Sequence, residues 1–197
     1  MRRRAAALRA VGSGLALVSC TAQAHLVDTG LGPVYDGIAH FALTPEDLLP
    51  VLAIAVLAGL RGAAPARRVV FVLPLAWLVG GLFTATSGIG GPGPPAWLPL
   101  LLLGGLVAVD RPLPMLATTA IAGVAGLMLG AANGQAMAQA GAGVRGVAGI
   151  VGAVFVATTL VAALAVARQA GGLRIAWRVA GSWVAASGLL LLGWSLR

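Results

Sequence analysis

Six apolar runs follow one another from residue 45 to the C-terminus, separated by short breaks rich in Gly, Pro and Arg. Each approaches the roughly 20 residues that a helix needs to cross a bilayer. Inside hydrocarbon an unpaired backbone amide is too costly, so such runs must bond within themselves as α-helices. The expected fold is an all-α polytopic membrane helix bundle of about six transmembrane helices. The spans are placed at about residues 45–60, 69–86, 96–109, 113–132, 144–167 and 175–196. The first and third are short, which predicts little tilt or a locally thin membrane.

Composition agrees with this reading. Hydrophobic residues make up 59% of the chain and charged residues 9%, against roughly 25% charged in soluble domains. All thirteen basic residues are arginine and the formal net charge is +8. These arginines stand at the ends of apolar runs, as topology determinants do, so no nucleic acid is expected as a partner. A single cysteine, Cys20, excludes an internal disulfide framework.

Residues 1–24 have the parts of a cleavable signal peptide: Arg2, Arg3 and Arg4, a modest apolar stretch to Val18, then Ala22-Gln23-Ala24. Cleavage after Ala24 leaves 25–197 as one membrane domain, with 25–44 as an extracytoplasmic lead-in. Leu17-Val18-Ser19-Cys20 resembles a lipobox, so lipidation at Cys20 stands as the competing reading. Arginine placement then orients the bundle. Seven arginines (Arg61, Arg67, Arg68, Arg111, Arg168, Arg174, Arg178) fall in breaks on the side opposite the lead-in, and only Arg145 and Arg197 on its side. By the positive-inside rule the expected orientation puts the mature N-terminus on the extracytoplasmic side of the membrane.

Small residues predict the packing. Gly126, Gly130 and Gly134 recur every fourth residue, and Gly146, Gly149 and Gly152 every third. Such stripes let backbones approach closely, which predicts that the fourth and fifth spans pair. Trp97, Trp177 and Trp194 fall near span ends, whereas Trp77 and Trp183 are mid-span and are expected between helices. Thr84, Thr86, Thr118, Thr119, Thr158 and Thr159 are expected to bond back to helix carbonyls. Asn133 and Gln135 lie at the edge of a break. The scattered methionines Met115, Met128 and Met137 read as packing residues.

Chemistry concentrates in one stretch, residues 25–47. It holds both histidines, His25 and His40, and four of the five acids, Asp28, Asp36, Glu46 and Asp47. Asp36 and His40 are four apart and share a face if residues 35–43 are helical. Thr44-Pro45-Glu46-Asp47 has the pattern of a capped helix start, which alone accounts for two acids beside free amides. Pro50 removes an amide from the next turn. Were His25 the mature N-terminus, its amine and imidazole would chelate together. The candidate metal ligands are His40, Asp36, His25, Asp47 and Glu46. A mixed imidazole–carboxylate set suits nickel, cobalt or zinc, and the absence of thiols disfavours copper(I). No nucleophile–base motif is present, so an enzyme is not expected.

The stretch Gly32-Pro33-Val34-Tyr35-Asp36-Gly37-Ile38-Ala39-His40, then Thr44 to Pro50 and Leu57-Ala58-Gly59-Leu60-Arg61, resembles the HupE/UreJ family. That resemblance implies a small bacterial membrane protein linked to hydrogenase or urease gene clusters, acting as a nickel or cobalt permease or accessory protein. Many members carry Gly-x-x-His followed by Gly-x-Asp-His at the first span. Here Gly37-x-x-His40 matches, while Thr44, Glu46 and Asp47 stand at the glycine, aspartate and histidine positions. Some members have histidines near the end of the fourth span, where this chain has Asn133-Gly134-Gln135. The implied site is richer in oxygen and poorer in nitrogen. Two functions follow as expectations: a divalent metal permease, or a non-transporting accessory protein that serves a metalloenzyme or its maturation machinery. A homo-oligomer is compatible with either.

Overall fold

Proline and glycine set the helix boundaries. Pro33 opens α1 (Pro33–Leu43), and Pro45 opens α2 (Pro45–Leu60) with only Thr44 between the two helices. Gly62, at φ 109°, turns the chain into α3 (Ala63–Ser87), and Gly88 closes α3 in the left-handed region. Then come α4 (Trp97–Val109), α5 (Met115–Gln139), α6 (Gly143–Ala167) and α7 (Gly172–Ser195). This is a computed structural model, and it describes residues 28–90, 93–168 and 172–197, among which there is no strand. Residues 1–24, expected to be a signal peptide, and His25 lie outside the described residues.

The all-α membrane bundle is as expected. Helices α3, α5, α6 and α7 are each long and apolar enough to cross a membrane, and α1 with α2 passes as one broken span bent by 74°. Helix α4 has 13 residues, about 20 Å of rise, and falls short of a hydrocarbon core of about 30 Å. The fourth expected span runs on to Gln139, so Asn133-Gly134-Gln135 is helix rather than break. Tertiary contact extends it, because Gly134 packs on Gly81 of α3 and Asn133 bonds to α2.

Helix α2 is the centre and touches every other helix. From Val51 to Leu60 all its residues but Leu52 are buried. Its Ile54 and Leu57 meet Val69, Leu73 and Trp77 of α3 and Ile150 and Val154 of α6 in one cluster. Phe41 of α1 meets Trp77 edge-on, ring centroids 6.1 Å apart, which clamps the lead-in helix to this core.

The glycine stripes serve close packing, but only Gly146 does so between the expected partners. Gly126, Gly130 and Gly134 face α3, where a β-carbon would strike Leu73, Trp77 and Gly81. Gly149 lies against Val34 of α1, Gly146 meets Met137 of α5, and Gly37 of α1 faces the Gly146 carbonyl. Gly152 faces open space. A stripe says that some backbone comes close, and the fold decides which one. Trp183 also departs from expectation: it is 74% exposed, whereas Trp77 is fully buried. Helix α7 packs through Gly181 and Gly188 onto α4, which leaves the Trp183 face turned outward.

The threonine expectation is met at Thr86, Thr119 and Thr159, whose hydroxyls donate to carbonyls four residues back at 2.7–2.8 Å. Thr84 also donates across to Ala131 of α5 at 2.7 Å. At the opposite end from the α1–α2 break, Asp110 gathers three helices. Its carboxylate accepts from Arg61 at the end of α2 and from Arg174 Nε of α7 at 2.6 Å. The breaks grouped together by their arginines therefore meet at one end of the bundle. Burial opposes ionisation of Asp110, but the Arg174 and Arg61 guanidiniums outweigh it and hold its carboxyl below the usual range.

Candidate metal site at the break between α1 and α2

Pro45 bars the helical conformation from the residue before it, so Thr44 is extended at φ −102°, ψ 97°. The chain turns by 74° there, and the last turn of α1 lies beside the first turn of α2. Thr44 occupies the N-cap position as expected, yet its side chain makes no capping bond. The Asp47 carboxylate also looks beyond its own helix, to α5.

Three side chains meet at the break. His40 Nε2 lies 3.7 Å from Asp47 Oδ2, too far for a hydrogen bond. Asp47 Oδ1 accepts from Asn133 Nδ2 at 2.9 Å, and the same nitrogen donates to the Leu129 carbonyl at 3.0 Å. Two acceptors around Nδ2 fix which way the amide faces. Asn133 Oδ1 is then left buried beside the His40 imidazole, with no hydrogen bond of good geometry. Asn133 and Asp47 are 4% and 8% exposed. A carboxylate, an imidazole nitrogen and an unused amide oxygen thus share one partly dry site.

The other candidates are elsewhere engaged. Asp36 Oδ1 accepts from the Thr29 amide at 2.8 Å and the Thr29 hydroxyl at 2.6 Å, and so ties residues 28–32 to the start of α1. Asp28 supports the same turn by accepting from the Gly30 amide at 2.9 Å. Glu46 is exposed on the outer side of α2. Among the described residues no three of His, Cys, Asp and Glu come together around one point. The third donor is Asn133, which the sequence reading left at the edge of a break. Its signal was available: an amide side chain among apolar residues.

Fold and site together define a polytopic helical membrane protein with a His–Asp–Asn cluster where its first span is broken. A profile described as HupE / UreJ protein matches residues 13–191, and the chain belongs to that family, one of nickel- and cobalt-related membrane proteins. No curated protein and no solved structure matches the chain.

Proposed function

We propose that the chain is a divalent metal permease of the bacterial inner membrane, which captures nickel or cobalt, with zinc as a competitor, at His40, Asp47 and Asn133. The observation that carries this reading is the 3.7 Å separation of His40 Nε2 and Asp47 Oδ2 beside the unpartnered Asn133 Oδ1. Ligand bonds of about 2.0–2.2 Å put two donors on one ion roughly 3–4 Å apart. The pair is thus too wide for a hydrogen bond and suited to a shared cation. One imidazole and two oxygens form a set that borderline divalent ions accept. Asn133 Nδ2 would keep the carboxylate aimed while His40 supplies the nitrogen. Asp36, which is held by Thr29, and the exposed Glu46 are outside this ligand set.

The accessory reading is supported by a different observation. Beyond Pro50, the Val51–Leu60 segment of α2 offers only apolar side chains, so an ion leaving the cluster along α2 meets no further ligand there. Nickel and cobalt flux into proteoliposomes tests the permease reading directly. Flux that is lost in His40→Ala supports it. Stoichiometric binding without flux selects the accessory role, and neither binding nor flux defeats both.

A further inference from the structure

The Asp110 end of the bundle carries more cations than it can pair internally. Seven arginines stand in or beside the junctions at this end, against one acid. Both Asp110 oxygens are taken by Arg61 and Arg174. Arg67 and Arg68, exposed near the start of α3, have no carboxylate partner among the described residues.

Two grooves with apolar walls begin at these arginines, which themselves line part of the second. One runs between α3 and α6, about 370 Å³, with Ala66 and Val70 on one wall and Ala162, Ala163 and Val166 on the other. Thr159 lines it too, but its hydroxyl is already given to the Phe155 carbonyl. The second, about 550 Å³, lies along α3 toward Met115 of α5. Arg67 and Phe71 border both grooves, and Phe71 is a ridge between them, 60% exposed.

We propose that this face binds one anionic two-chain phospholipid from the surrounding bilayer, its phosphate on Arg67 and Arg68 and one acyl chain in each groove astride Phe71. The grooves offer hydrocarbon what it needs, and the unpaired guanidiniums match the headgroup's negative charge. A zwitterionic headgroup would bring its own cation into an arginine-rich end and gain less.

Native mass spectrometry of the detergent-purified full chain tests this, with equimolar phosphatidylglycerol, phosphatidylethanolamine and diacylglycerol added. Phosphatidylglycerol is expected to be retained preferentially. The R67Q/R68Q variant, altered only at exposed positions, is expected to lower that retention on the order of tenfold. R145Q, on the first turn of α6 at the opposite end, is expected to leave it unchanged. Equal retention of all three lipids by the wild type, or unchanged phosphatidylglycerol retention in R67Q/R68Q, overturns the proposal.

Discussion

His40 and Asp47 face each other across a 74° break between two helices, with the imidazole Nε2 3.7 Å from the carboxylate Oδ2. Pro45 creates the break, and Asn133 of α5 holds the carboxylate in place from the other side. The cluster is thus assembled from a local rule about proline and a contact between distant parts of the chain.

Removing either facing side chain should remove metal affinity. Loss of a supporting contact typically costs 10–100-fold, so His40→Ala and Asp47→Ala are each expected to weaken nickel or cobalt binding by more than about 100-fold. Asp36→Asn and Glu46→Gln should change it by less than about threefold, a margin far inside that range. Titration calorimetry on purified protein decides the matter, and equal effects from all four variants would sink the three-residue site.

Asn133 has two tasks that separate by substitution. Asn133→Leu strips Asp47 of its donor and should cost about 1–3 kcal/mol of stability together with metal affinity. Asn133→His supplies an imidazole nitrogen near the same place and should retain binding, with a shift toward nickel over manganese. A competition titration between those two ions checks this, and a histidine variant that binds neither ion would count against Asn133 as a ligand.

Close packing makes the two glycine stripes unequal. At Gly130 a β-carbon would meet the Trp77 backbone, whereas at Gly152 it would meet nothing. Gly130→Ala should therefore destabilise by about 1–3 kcal/mol. Gly152→Ala should be neutral or stabilise by up to about 1 kcal/mol through the unfolded state. Melting in detergent separates them, and equal Tm values would mean that α3 and α5 do not pack as described.

The Asp110 junction predicts a pH dependence. Its carboxyl lies below the ordinary value in the folded protein, so its stabilisation is complete above the unfolded pKa of about 3.9. That contribution is lost as pH falls through the lower folded value. Asn tolerates the left-handed backbone of residue 110, φ 53°, so Asp110→Asn isolates the charge. The variant should lower Tm at pH 7, and the difference from wild type should shrink as pH falls below about 4. A difference independent of pH would assign the effect to shape instead of charge.

Asp110 also shows how far the arginine pattern reaches. The sequence grouped the breaks at Arg61, Asp110 and Arg174 on one side, and the ion pairs join those same three points. The glycine stripes were legible as close approaches, but apart from Gly146 on Met137 their neighbours lie on other helices than the one expected, since a stripe is a property of one helix and carries no address. Trp183 was misplaced for the same reason: position along a span does not say which face meets lipid.

By itself the sequence determined the all-helical membrane class, the approximate places of the apolar helices and the concentration of ligands before the first long span. Apolar length, proline, glycine and arginine act locally, and a bilayer leaves backbone amides no alternative but a helix. Tertiary structure alone decided which ligands converge. His40 and Asp47 are seven positions apart and meet because Thr44 is extended. Asn133 joins them because Gly126, Gly130 and Gly134 bring α5 onto α3 and its end to the mouth of α2. Asp36, one turn from His40, is drawn away by Thr29. Spacing along the chain could propose the set, but only the packing of backbones against glycine could choose its members.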